Sequence, residues 1–314
     1  MRTILTVIVI LVVLILGWLY WSAAEREKQI AAEYPPIGSF IDVNGTKVHY
    51  IQKGEGLPLV LIHGLSSNVM EWDTGLFDQL AEHFRVIAFD RPGLGYTEPL
   101  KDATIVDQAN LLADAAIQLG ADKPLVLGHS FGGAVAMAWA VERQENMAGL
   151  LVLSGASHPL KSPDLGDVWI LANPVIGSLL AWFQLAMSST ESLEEQQIDV
   201  FAPQAVPQNY AKDFGAWLVL RRFSAVENMR QLSKLNEQIS KLTPRYEEIA
   251  LPVEVVHGNA DNIVAYADNA PPLPESIKGA NLVTLDDMGH APNYEVPDVV
   301  EEAVLRLAKR LALE

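Results

Sequence analysis

What most constrains the fold of this chain is a rhythm that starts near Ile37, in which short apolar strands are separated by helical stretches of about 12 to 15 residues. Residues 40–43 and 47–52 read as a hairpin across Asn44-Gly45, a dipeptide suited to a tight turn with left-handed backbone. Apolar strands are then expected at 58–63, 84–90, 124–128 and 150–154, with an amphipathic stretch near 69–83 and helices at 104–119 and 131–143 between them. Such strands have no solvated face, so the pattern implies a mostly parallel α/β sheet, doubly wound with helices on both sides. After Gly155 the rhythm stops for nearly 90 residues of apolar helical pieces broken by Pro, Trp, Gln and Asn. It resumes with strands at 253–257 and 282–285 and closes on an amphipathic helix at 297–311, whose opening Pro297 suits a first helical position. The core is therefore expected over 37–157 and 247–314, with 158–246 inserted as a helical cap.

The first residues are of a different material. Residues 4–21 carry no charge and are long enough, at roughly 27 Å as a helix, to cross a bilayer's hydrocarbon. Trp18, Tyr20 and Trp21 gather at one end, where amphipathic rings favour the headgroup level, and Arg2 lies at the other. These features predict a single transmembrane anchor with a cytoplasmic N-terminus and an extracytoplasmic catalytic domain. The competing reading is a signal peptide cleaved near Ser22-Ala23-Ala24, which would leave a secreted protein. Residues 22–36 read as a linker, a short helical stalk stopped by Pro35-Pro36. Residues 168–187 are also uncharged, but Asn173, Pro174, Gly177 and Gln184 interrupt them, and a span there would put the two parts of the sheet on opposite sides of the membrane. Two cap helices resting on the membrane are the expectation.

Composition removes several classes of function. Lys and Arg total 22 against 39 Asp and Glu, and a net charge of −17 repels nucleic acid. With no cysteine, thiolate catalysis, disulfides and Cys-ligated zinc are excluded. His49, His83, His129, His158 and His257 show no metal-ligand spacing, so no metal site is expected.

The local chemistry centres on Gly128-His129-Ser130-Phe131-Gly132-Gly133, a G-x-S-x-G motif between a predicted strand and a predicted helix. A turn this sharp lifts the Ser130 hydroxyl above the sheet, and the helix N-terminus below supplies the Phe131 amide to a developing oxyanion. A serine hydroxyl needs a base, and His290 sits on the turn between the last strand and the last helix. A carboxylate must orient that imidazole. Asp261 follows the strand at 253–257, whereas Asp286 and Asp287 sit on His290's own strand end, where solvent contact or turn capping is the simpler reading. The turn after the strand at 58–63, His63-Gly64-Leu65, offers the Leu65 amide as the second oxyanion donor, and His63 itself reads as scaffold.

From about Ile37 to the C-terminus, these loops in the order Ser, Asp, His resemble the α/β-hydrolase superfamily. Asp90-Arg91-Pro92-Gly93-Leu94-Gly95-Tyr96 looks like the D-R-P-G-x-G-x turn of its capped subgroup, which contains epoxide hydrolases, haloalkane dehalogenases, esterases and carbon–carbon bond hydrolases. In the first two of these the nucleophile is an aspartate, and the serine at position 130 departs from that pattern. The resemblance implies an α/β-hydrolase fold, a structural role for Arg91, no cofactor, and acyl transfer through Ser130, Asp261 and His290. Cap aromatics, Trp182 and Trp217 among them, are expected to line an apolar pocket above Ser130. That makes a small-molecule carboxylic ester, apolar or aryl in its acyl part, the expected substrate, with lipid-derived esters among the candidates. Carbon–carbon bond, amide or perhydrolase chemistry on the same triad is the alternative, and a non-catalytic ligand-binding scaffold is the third reading.

Overall fold

The computed structural model describes residues 2–73, 75–161 and 168–311. Helix α1 (Arg2–Glu33) is unbroken and about 48 Å long. After it, β1 (Ser39–Val43) and β2 (Thr46–Lys53) form the expected hairpin, with Asn44 and Gly45 both at positive φ. They open a sheet of eight strands in the order β1-β2-β4-β3-β5-β6-β7-β8. The others are β3 (Pro58–Ile62), β4 (Arg85–Phe89), β5 (Leu125–His129), β6 (Gly149–Leu153), β7 (Val253–Gly258) and β8 (Asn281–Leu285). The two pairings made by β2 are antiparallel, and every later pairing is parallel.

Alternation along the strands sorts side chains between two apolar layers. Val60 and Ile62 of β3 face the layer shared with α3 (Ile105–Gln118) and α4 (Phe131–Glu142), while Leu59 and Leu61 face the layer under α2 (Leu76–Ala81) and the final helix. Helix α3 begins on a reciprocal cap between Thr104 and Asp107. The strand order reverses direction between β3 and β5, which opens a crevice at their C-terminal ends. The expected amphipathic stretch at 69–83 is split into a 3-10 turn (Val69–Glu71) and α2. Asn68 caps the turn by accepting from the Met70 amide, the Asp90 carboxylate takes the Val69 amide, and Gly75 at φ 111° breaks the path between the two pieces.

The cap is helical: α5 (Val168–Leu171), α6 (Ile176–Met187), α7 (Thr190–Glu195), α8 (Ile198–Phe201), α9 (Tyr210–Asp213) and the long α10 (Arg222–Leu242). The uncharged stretch at 168–187 is two helices, because the Asn173 carboxamide accepts from the Val175 and Ile176 amides and starts α6 afresh. Phe201, Tyr210 and Tyr294 meet edge to face, with centroids 4.6 to 5.6 Å apart, and join the cap to the core. The chain then completes the core with α11 (Tyr266–Asn269), α12 (Pro272–Ser276), α13 (Pro292–Glu295) and α14 (Pro297–Leu311).

Residues 22–33, within the stretch read as a linker and helical stalk, are helical and packed on the cap. They continue α1 and bury Ala23 and Ile30 against the cap. Arg26 donates to the Ser188 carbonyl at 2.7 Å and lies 4.6 Å over the Trp217 ring, Glu27 accepts from the Arg222 amide, and Tyr20 meets Trp182 edge to face at 5.1 Å. One small-residue face, Ala23 and Ala24 followed by Ile30, lets the helix lie close to its neighbour, which the composition of a charged stalk concealed.

Candidate active site

Three loops at the C-terminal ends of the parallel strands build the site. Ser130 follows β5 directly and has φ 55° and ψ −120°, a strained conformation for a side chain with a Cβ. Gly132 makes that turn feasible, since a Cβ there would collide with the carbonyl oxygens of Ile62 and His63 at the end of β3. His290, on the turn after β8, brings Nε2 to 2.8 Å from Ser130 Oγ, and its Nδ1 lies 2.7 Å from Asp261 Oδ2. Asp261 comes from the turn after β7. Its Oδ1 accepts from the Ile263 and Val264 amides at 2.8 and 2.9 Å, and Oδ2 also lies 3.1 Å from His257 Nε2. All three members of this line are buried.

Burial alone would raise the Asp261 pKa, but the imidazoles of His290 and His257 outweigh it and hold the carboxyl well below the usual range. Burial dominates at His290 and lowers its pKa, against the pull of Asp261, so the ring is neutral near pH 7 and able to accept a proton. Asp286, the competing carboxylate, instead accepts from the Asn259 side chain at 2.9 Å.

Ser130 opens into a cavity of about 440 Å³ lined by Leu65, Phe131, Ala156, Leu160, Leu232, Leu235, Ile263 and Val264, with Asp199 and Asn262 exposed at its edge. Both residues expected to donate amides to an oxyanion therefore border the same space as the hydroxyl. No Lys or Arg is among the described lining residues.

Trp182 and Trp217 are corrected. They do not line this cavity but face α1 and its arginine, as described above, because the cap turns those rings toward the N-terminal helix. His63 is scaffold: Nδ1–H donates to the Gly64 carbonyl, Nε2 accepts from the Arg91 amide, and burial pushes its pKa down to about 4. Arg91 is fully buried and donates to the carbonyls of His63 and Gly64 and the side chains of Gln108 and Gln231, which pins the turn that carries Leu65.

Two residues near the line escaped sequence reasoning. Glu71 has no local signal, since its partner His129 is 58 positions away. His257 differs in kind: its spacing does not suggest metal ligation, and its i, i+4 relation to Asp261 spans a strand end, where helical periodicity gives no signal.

An α/β-hydrolase family model matches residues 59–303. The chain belongs to the α/β-hydrolase family. This α/β-hydrolase is 37% identical to the soluble epoxide hydrolase of Corynebacterium sp. (strain C12) over 125 residues, 39% of this chain and 43% of that protein. Over nearly its whole length, 83% of this chain and 90% of the relative, it is 26% identical to the 2-hydroxymuconate semialdehyde hydrolase of Pseudomonas sp. (strain CF600). Among solved structures, that of a membrane phospholipase A described as a bacterial virulence factor covers 99% of each chain at a TM-score of 0.67 and 21% identity, a likeness of fold that includes the N-terminal helix.

Proposed function

We propose that this α/β-hydrolase is a serine hydrolase that cleaves carboxylic esters with an apolar acyl or aryl group. The observation that carries the reading is the continuous line Ser130 Oγ, His290 Nε2 and Nδ1, Asp261 Oδ2, at 2.8 and 2.7 Å, opening on an apolar cavity without a basic side chain among its described lining. Ser130 Oγ attacks the ester carbonyl while its proton passes to His290 Nε2, and the amides of Leu65 and Phe131 receive the developing oxyanion. Collapse breaks the carbon–oxygen bond, with the His290 proton leaving on the alcohol. Water then attacks the acyl-enzyme, giving its proton to His290, and the acid is released as Ser130 regains its hydrogen. Asp261 holds the imidazole in the tautomer that accepts at Nε2.

A membrane setting belongs to the same proposal. Residues 4–18 of α1 are exposed and almost wholly apolar, and Trp169, Val175, Ile176, Phe183 and Met187 of the cap are exposed as well. A single-pass anchor with an extracytoplasmic domain, a cap over 158–246 facing the bilayer, and a lipid-derived ester as substrate account for both sets. The membrane phospholipase A of similar fold points the same way. The alternative reading, hydrolysis of a carbon–carbon bond, is favoured by one observation, the near full-length match to 2-hydroxymuconate semialdehyde hydrolase.

The test is hydrolysis of p-nitrophenyl esters from acetate to palmitate by the full chain in detergent micelles, with Ser130→Ala beside it. Turnover that vanishes in the variant supports the proposal, and the chain-length profile sizes the acyl site. Turnover that survives removes Ser130 from the chemistry, and inactivity of both proteins on every ester shifts the assignment to the carbon–carbon reading.

A further inference from the structure

Glu71 and His129 are buried beside the Ser130–His290–Asp261 line, yet the acyl-transfer steps use neither. Glu71 closes the 3-10 turn after β3, and His129 is the last residue of β5, one position before the nucleophile. Glu71 Oε1 lies 2.8 Å from His129 Nδ1, and Oε2 accepts from the Gly64 amide at 3.1 Å. On the far side of the ring, His129 Nε2 lies 2.9 Å from the His290 carbonyl oxygen. These bonds run without interruption from the loop that presents Leu65 to the main chain of the base. The His290 amide in turn donates to the Val200 carbonyl of the cap, so both its backbone groups are held.

Geometry and charge together set the protonation. A carbonyl oxygen only accepts, so Nε2 carries hydrogen, and one further proton lies between Glu71 Oε1 and His129 Nδ1. The charges around the pair favour that proton on the ring, a carboxylate with an imidazolium. Burial works against the charge on His129, but Glu71 outweighs it and raises the pKa of the ring. Burial would raise Glu71, yet His129 and His63 hold it down to about 2. Other titratable groups face this pair and the base: Asp261 toward His129, Arg91 toward Glu71, and Asp261 and His257 toward His290. The His129 ring centroid is 5.0 Å from that of His290, close enough for like charge to oppose protonation of the base. Gly64 completes the packing. A Cβ there would stand 3.1 Å from Ser130 Cβ, 3.5 Å from His129 Nδ1 and 3.6 Å from Glu71 Oε2.

We propose that Glu71 and His129 are positioning residues for acyl transfer, a buried carboxylate–imidazolium brace that fixes the Gly64–Leu65 backbone relative to His290 and keeps that base unprotonated. The inference rests on the serine-hydrolase reading, and its test separates the two. Glu71→Gln can keep the three bonds of the brace: the amide oxygen accepts from Gly64, the amide N–H donates to His129 Nδ1, and a neutral His129 still donates from Nε2. The charge on both partners is lost, and Ser67, which also bonds Glu71, lies outside the brace. A fluorophosphonate probe should still label Ser130 in this variant, KM for a p-nitrophenyl ester should stay within about 2-fold, and kcat should fall by about 10-fold or more. The acid limb of kcat/KM should move to higher pH, because His290 no longer faces a cation. A merely structural pair would lower the melting temperature without moving that limb, and a wild-type pH profile in Glu71→Gln overturns the proposal. If the single variant does not fold, the charge-free double variant Glu71→Gln/His129→Gln is read in the same way. An unmoved acid limb there, or failure of both variants to fold, assigns the pair to stability alone and overturns the proposal too. Wild-type protein that the probe does not label would instead bring down the serine-hydrolase reading.

Discussion

The sheet end and the cap use their polar and aromatic side chains in opposite ways. At the sheet end, Ser130, Asp261 and His290 come from turns after three different strands, and their side chains bond one another, with Asp261 also held by adjacent backbone and by His257. In the cap, Trp182 and Trp217 turn away from the cavity to hold α1. The difference teaches that a side chain fixed by backbone topology is predictable from its place along the chain. One whose neighbour is another surface helix is not, because nothing in its own segment names that helix.

Four experiments bear on this contrast. The largest effect belongs to Ser130→Ala, which should lower kcat by about a millionfold and abolish fluorophosphonate labelling, as loss of a triad nucleophile does. Asp261→Asn should cost about 10⁴-fold in kcat by stabilising the wrong tautomer of His290, while Asp286→Asn leaves kcat within about 2-fold. A large loss in the second of these would move the orienting carboxylate to the wrong loop. Next is the pH profile. Activity needs neutral His290, and burial lowers its folded pKa, so the acid limb of kcat/KM should lie below the ordinary histidine value of about 6.5 and activity should fall only as pH drops through it. A limb above that value would mean the Asp261 charge outweighs burial. The smallest catalytic effect is expected from Trp182→Ala with Trp217→Ala. Short-ester kcat should stay within about 3-fold, while the melting temperature falls by a few degrees and residues 22–36 become more open to limited proteolysis. A large kcat loss at unchanged stability would return these rings to the substrate.

Most of the sheet was legible because its information is local. Each strand from β3 onward is short, mostly apolar and bounded by polar or turn residues, and each structural strand lies within a residue or so of the expected one. That Ser130 and His290 would meet at one end of the sheet was legible through the elements that flank them, and the place of Asp261 beside them through its position after β7. The division of the amphipathic stretch at 69–83 was not, because Asn68, Asp90 and Gly75, which impose two pieces, act through contacts that periodicity does not carry. The brace at Glu71 and the docking of residues 22–33 were hidden for a related reason. Glu71 lies 58 positions from His129, and Arg26 lies 162 from Ser188. Periodicity can mark a buried face without specifying what covers it.

Because α1 is one rod from Arg2 to Glu33, with its last turns built into the cap, the domain has no swivel. No proline or glycine lies between residues 22 and 33 to serve as a joint. Turning the domain about the helix axis would mean lifting Ile30 and Arg26 from their seats or bending regular helix. The mouth of the cavity therefore keeps a constant bearing on the axis of that helix.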